Sequence, residues 1–505
     1  LSLDNIAFLH HTAAPPWRDL RTATIYYDSA AAIFATLRRQ AGSDANAVSL
    51  AEREYSVYDN WARAWAGRSR AADETPRQQA LEAALAAAER GRAQATVELM
   101  TAGSAASAQA SEDIVARAGR DLPREATELL ANLRAAHTSL LYYQHAADTL
   151  TVWHLTPDGA LSLSQRRVTG DELAALIAAL RAGLGAESAR RAMVRGSSEQ
   201  ETTRRGLDLL GTADLDGPLA AISDLLVPAG LRTAETGREL VIVPHGILGL
   251  VPFSALRLGG DALPLGARYA VRYTPSLRAL EAAEARPIPA ASGSSLVVGN
   301  PRMPEVTTAS GAKAVLEPLP GAQSEGEWLA QRLGAQLLTG DAASEGTVRD
   351  RLPSARIVHL ATHGLAFGSD ASVRKSYVAL AADAAHDGLL TLGEVMDDDA
   401  LRLMADLVVL SACQTGLGDP KQAEGTVGLQ RGLLAKGART VLVSLWSVDD
   451  EATGFLMRRF YEHWLGGAGK AEALRRAQTD VRTSASHPNW RHSRYWAAFQ
   501  LVGAR

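Results

Sequence analysis

Short apolar runs that break off at a turn, with helix-forming text between them, constrain this chain more than any other feature. Leu240-Val241-Ile242-Val243 gives way to Pro244-His245-Gly246, and Leu296-Val297-Val298 to Gly299-Asn300-Pro301. Ile357-Val358-His359-Leu360-Ala361-Thr362 ends in His363-Gly364, and Leu407-Val408-Val409-Leu410 in Ser411-Ala412-Cys413. Runs that are apolar throughout, rather than alternating, belong to strands buried on both faces, and helices between them serve as crossovers. The expected fold is therefore α/β with a parallel sheet. In such sheets ligands sit beyond the carboxyl ends of the strands. His363 and Cys413, the only cysteine of the chain, fall at two such ends.

A thiol is only slightly ionised near neutral pH, and an imidazole that takes its proton makes it a strong nucleophile. The two residues are 50 apart, His before Cys, which is the caspase-type spacing. Ser411-Ala412-Cys413-Gln414-Thr415-Gly416 resembles the caspase cysteine motif with one residue inserted before the glycine. His359-Leu360-Ala361-Thr362-His363-Gly364 is similar to the histidine motif of CHAT-domain proteins, bacterial relatives of caspases and separases. Val243 to Leu248, Val298 to Pro301, Gly425 to Leu429 and Val443 to Asp450 agree with that family, so the resemblance covers roughly residues 137 to 505.

The resemblance implies a caspase-like parallel-sheet α/β protease with a degenerate first half, preceded by an all-α region. The divisions expected are 1–135 helical, 136–300 the pseudo-caspase-like half and 301–505 the active half. It also implies a cysteine endopeptidase with a Cys-His dyad that cuts chosen partner proteins, in bacteria within regulated or antiviral defence responses. Gasdermin-like pore formers or other effectors are the substrates it suggests, with a protein activator acting through the helical region. Gly364 allows a tight turn, and its N–H is a candidate oxyanion donor; family analogy makes the Cys413 N–H the second. Separases carry an acidic residue in the stretch like Asp449-Asp450 and choose arginine before the cut, so those carboxylates are candidates for the substrate pocket. The ordinary use of Asp449-Asp450-Glu451 is to open the next helix, where acids cap free N–H groups.

Other readings are weaker. A free cysteine is usually buried and inert, and a non-catalytic scaffold that keeps the fold is the alternative function; the thiol and imidazole together argue against it. His359 and His363 have the spacing of a zinc motif on a helix, but Leu360 stands where that motif has glutamate, and the segment reads as strand. No metal and no cofactor is expected. His245, at a strand end with glycine after it, has no cysteine near it and reads as packing or loop support. Trp446 and Trp496 read as core.

Composition excludes other classes. Of 505 residues 47% are hydrophobic and the net charge is −4, with no basic block interleaved with aromatics, so nucleic acid is not expected. There is no apolar stretch long enough to span a bilayer and no signal-peptide pattern, so no membrane is expected. A lone cysteine makes no internal disulfide, and the cytoplasm is the default location.

Up to about residue 135 the text is rich in Ala, Arg, Glu and Leu, the composition of helices. Leu81, Leu85, Ala88, Arg92 and Ala95 predict one amphipathic helix from Pro76 to Met100. Its segment Ala87 to Ala93 resembles the last helices of tetratricopeptide arrays, although no clean repeat is present. Strands are expected through Leu140 to Gln144 and Leu150 to Leu155, and helices over Asp171 to Gly183, Gln323 to Leu333, Gly425 to Ala435 and Asp450 to His463.

Overall fold

The computed structural model describes every residue except 1, 15–16, 39–43, 71–73, 102–120, 187–214, 234–235, 260–262, 291–292, 308–312, 368–371, 413–418, 423–424 and 448. Its centre is an 11-stranded sheet. In chain order the strands are β1 (Ser139–Ala146), β2 (Thr149–Leu155), β3 (Leu161–Arg167), β4 (Arg238–Val243), β5 (Tyr269–Tyr273) and β6 (Ser294–Pro301). They continue with β7 (Leu337–Gly340), β8 (Ala355–Ala361), β9 (Leu407–Ser411), β10 (Thr440–Ser444) and β11 (Phe499–Gly503). Side by side the order is β3-β2-β1-β4-β5-β11-β10-β9-β8-β6-β7.

Strands β1, β4, β5 and β11 are mutually parallel, and so are β10, β9, β8, β6 and β7. Between β10 and β11 the direction reverses. The sheet thus has two parallel halves running opposite ways, sewn together by the last strand. One consequence follows for two histidines that look alike in sequence: His245 leaves β4 in the direction opposite to that in which His363 leaves β8. The first half ends in an antiparallel meander, β1-β2-β3. Its tight turn has Ala147 and Asp148 at φ of 44° and 57°, the double left-handed conformation that matches the twist of a two-residue hairpin.

The N-terminal region is helical: α1 (Leu3–Thr12), α2 (Leu20–Arg38), α3 (Asp44–Ser69), α4 (Glu74–Arg90), α5 (Gln94–Thr101) and α6 (Leu122–Ala135). The single helix expected over Pro76 to Met100 is broken at Gly91–Ala93. A Cβ on Gly91 would lie 2.5 Å from the Tyr58 Cβ, so the chain needs glycine where α4 ends against α3. Ala93 turns the chain with φ 51°. The three- and four-residue spacing of Leu81, Leu85, Ala88, Arg92 and Ala95 runs unbroken through the turn, which is why the break leaves no mark in the pattern. Arg92, at the break, is fully buried; it donates to the Pro244 carbonyl at 2.8 Å and the Tyr143 carbonyl at 2.9 Å, and stacks on Tyr142. The buried guanidinium, bonded to one carbonyl just past β4 and one within β1, fastens the helices to the first half of the sheet.

Side chains alternate across that half, as the pleat requires. Leu140, Tyr142, Trp153, Val241 and Val243 pack on Trp61, Leu85, Leu130 and Leu133 of the helical region. Leu141, Tyr143, Val152, Leu240 and Ile242 face the other core, with Ile177 of α7 (Gly170–Gly183) and Ile222 of α8 (Asp216–Leu226). Helix α7 starts with a capping box in which Thr169 and Glu172 satisfy each other's N–H groups.

Asp59, on α3, is 6% exposed. Burial pushes its carboxyl from the ordinary 3.8 up to about 7, against the opposing pull of the Arg63 and Arg92 guanidiniums and a Gln144 hydrogen bond. Between about pH 4 and pH 7 the folded chain holds a proton there that the unfolded chain has lost. Stability from this group is therefore present below that window and falls as pH rises through it. Asp59→Asn is expected to raise the unfolding free energy at about pH 8 by a few kcal/mol and to change little near pH 4. Chemical denaturation at both pH values checks it, and a gain that is larger at the acidic end refutes it.

Candidate active site

Strands β8 and β9 are parallel neighbours in register from Ile357↔Leu407 to Ala361↔Ser411, so they leave the sheet side by side. Two residues past Ala361 stands His363, 3% exposed. Its turn is held on both sides. Thr362 Oγ1 donates to the Ala379 carbonyl at 2.8 Å, and the Ala379 N–H donates to the His363 carbonyl at 2.9 Å. Gly364–Leu365 then pairs with Tyr377–Ala379 in a small antiparallel sheet.

The imidazole is aimed by Glu317, whose main-chain carbonyl lies 2.8 Å from Nε2. A carbonyl oxygen only accepts, so Nε2 carries the hydrogen and Nδ1 keeps its lone pair. A ring in that tautomer can accept a proton at Nδ1, and the carbonyl fixes its orientation. No side-chain pattern could announce Glu317, because only its backbone is used.

On the β9 side Ser411 and Ala412 are described, and the Ala412 carbonyl accepts from Ser444 Oγ at 2.7 Å. Cys413 lies outside the described residues. Between the strand ends a small cleft is lined by Thr362, Ser411, Ala412, Ser444 and Trp446, together with the first turns of α9 (Pro320–Leu333) and α10 (Asp450–Leu465). The two helix starts come close because Gly321 has no side chain: a Cβ there would stand 3.2 Å from that of Asp450.

The two candidate acids do different things. Asp449 caps α10, its Oδ1 accepting from the Ala452 N–H at 3.0 Å. Asp450, exposed, lines the cleft. A third acid joins it there. Glu325 of α9 is 4% exposed and also lines the cleft, with Oε1 2.8 Å from His359 Nε2, off the line of an ideal hydrogen bond. His359 is fully buried and its Nδ1 lies 3.1 Å from the Tyr461 hydroxyl. Burial drives the Tyr461 phenol well above its ordinary range, so it stays protonated and donates to Nδ1, leaving the Nε2 hydrogen toward Glu325. His359 is thus buried beneath the cleft and held at Nδ1 by Tyr461, with Nε2 facing Glu325 without a hydrogen bond to it. Sequence reasoning passed over Glu325; the available signal was a carboxylate one helical turn before Leu329, on the buried stripe of α9.

His245 is buried at the other end of the molecule's strand directions, stacked on Tyr55 and accepting from the His145 N–H at 3.2 Å. Burial and the Arg92 guanidinium hold it well below its ordinary range, so it is neutral. Trp446 and Trp496 are both buried. Among the described residues no group of three or more His, Cys, Asp or Glu is placed to hold a metal, and no helix is long and apolar enough to cross a membrane.

The strand order, the helical front and the histidine at a strand exit define a caspase- and separase-like α/β fold of the protease type. The chain belongs to the CHAT domain family, which matches residues 216–504. It is 31% identical over 334 residues to human tetratricopeptide repeat protein 28, covering 57% of this chain and 13% of that protein. The mouse counterpart is 30% identical over the same length and shares. The chain therefore spans a small part of those relatives. The structure is also similar to Saccharomyces cerevisiae separase in its complex with securin, with a TM-score of 0.53 at 11% identity, covering 99% of this chain and 42% of that one.

Proposed function

We propose that the chain is a cysteine endopeptidase in which Cys413 attacks a peptide carbonyl and His363 takes its proton and returns it to the leaving amine. The observation that carries this is the His363 ring, fixed by the Glu317 carbonyl at 2.8 Å as the Nδ1 base, on the strand whose neighbour leads into Cys413. Cys413 follows in sequence directly after Ala412, which lines the cleft. The N–H groups of Gly364 and Cys413 receive the oxyanion. Asp450, with Glu325 deeper in, forms the acidic wall that receives the residue before the scissile bond. Residues 136–300 support the active half, 301–505, and the helices of 1–135 present a surface to a protein activator.

The substrates of this reading are chosen partner proteins, gasdermin-like or other effectors, cut within a regulated response in the cytoplasm. Yeast separase, the structural neighbour, is held with the protein securin, which supports control by a protein partner. The test is twofold: labelling of the protein by iodoacetamide at about pH 6, and mass spectrometry of products from candidate partner proteins. Rapid labelling of wild type that slows in His363→Ala, with products that disappear in Cys413→Ala, is the expected result. Labelling no faster than that of a free thiol, or products that persist without Cys413, ends the reading.

A further inference from the structure

A second pocket lies away from the cleft and shares no residue with it. It encloses about 490 Å³, the size range of small-ligand sites. Its walls come from four separate parts of the chain: the start of α8, the segment around Arg257, the end of α11 (Lys470–Arg482), and residues 491–496.

The charges in it are unbalanced. Asp216 is the one acidic residue among the described lining residues, and it is paired with Arg257. Arg482 and Arg491 also line the pocket, and neither has a carboxylate within ion-pair distance among the described residues. Arg482 is partly buried, and desolvation holds its guanidinium below the ordinary value. Its place in the last turn of α11 offsets that helix's free carbonyls, and Arg491 likewise ends a short 3-10 turn, Pro488–Arg491. His492 and Trp496 complete the wall, the Trp496 indole N–H donating to the Arg491 carbonyl at 3.3 Å and so fixing the backbone that carries Arg491. Two arginines line one concavity, Arg482 half-buried and Arg491 exposed, neither with an acidic partner among the described residues, and planar guanidiniums match phosphate oxygens in geometry and charge.

We propose that this pocket binds a phosphate-bearing small molecule of about nucleotide size, gripped by Arg482 and Arg491. The site stands independently of the peptidase reading, because its walls contain none of the catalytic residues.

Isothermal titration calorimetry with ATP and with inorganic pyrophosphate tests it on the whole chain. Both probes are expected to bind with one-to-one stoichiometry and to compete with each other. Arg482→Ser and Arg491→Ser each weaken binding about tenfold, whereas Arg332→Ser, at an exposed position on α9, leaves it unchanged. ATP binding more tightly than pyrophosphate marks a nucleotide as the ligand; equal binding marks the phosphates alone as the recognised group. Cys413→Ala binds like wild type. Circular dichroism shows that the arginine variants fold. The proposal is overturned by the absence of saturable binding at millimolar probe, or by the same affinity in all three arginine variants, which is attraction to surface charge only.

Discussion

Cys413→Ala is expected to lower the rate of substrate cleavage by about three to four orders of magnitude, and His363→Ala nearly as far. The double variant is expected to be no slower than either single one. In the proposed mechanism the two residues act on one proton: without the imidazole the thiol would stay neutral at working pH, and without the thiol the imidazole would have nothing to activate. Losses that multiplied in the double variant would mean independent roles and would dismantle the dyad. The measurement is kcat/KM on an identified substrate, with the unfolding midpoint of each variant beside it, since His363 is 3% exposed and its removal opens space in the turn. The hydrogen bonds of that turn are made by the Thr362 hydroxyl and by main-chain atoms of His363 and Ala379, not by the imidazole, so they are expected to survive in His363→Ala and the loss to report chemistry rather than collapse.

Strands β6, β8 and β9 were legible because each carries a nearly continuous apolar run, and burial on both faces writes itself directly into composition. Their exits were legible for the same reason: Gly, Pro or a polar residue ends each run. What the sequence left dark has three physical causes. The reversal between β10 and β11 depends on which strand the C-terminal segment joins, a long-range choice that no local pattern encodes. The break at Gly91 hides because a helix that stops and resumes keeps its three- and four-residue spacing. The helix read over Gly425 to Ala435 begins only at Leu429, because Gly425–Val427 pairs with Asp419–Lys421 as a short hairpin, and a three-residue strand is too short to show a period. At the site, His363 stood out by residue type and position, whereas Glu317 works through a carbonyl that every residue possesses. The acids after Trp446 were visible as a group, yet their division of labour was not: adjacent residues at a helix start point in different directions, one back to the free N–H groups and one into the cleft.

That division yields the second large effect. A peptide with Arg or Lys before the scissile bond is expected to be cut about a hundredfold faster than one with Leu there, because the cation reaches Asp450 with Glu325 behind it. Asp450 is exposed in the unliganded chain, where an ion pair with it would be worth little. A bound peptide that covers the cleft removes water from around it, and only then does the pairing strengthen. Asp450→Asn should therefore cut kcat/KM for the basic substrate by about ten- to a hundredfold while leaving the leucine substrate nearly as before. Asp449→Asn keeps an oxygen for the Ala452 N–H and should change neither selectivity nor stability much; Asp449→Ala should lose about 1 kcal/mol of stability with selectivity intact. If instead Asp449→Asn abolished the basic preference and Asp450→Asn spared it, the helix cap would be the recognition group and the assignment of the two carboxylates would have to be exchanged. If neither changed it, the acids at the mouth of the cleft would have no part in choosing the residue cut, and selectivity would have to come from the apolar surface of Trp446 and Phe499 that lines the same cleft.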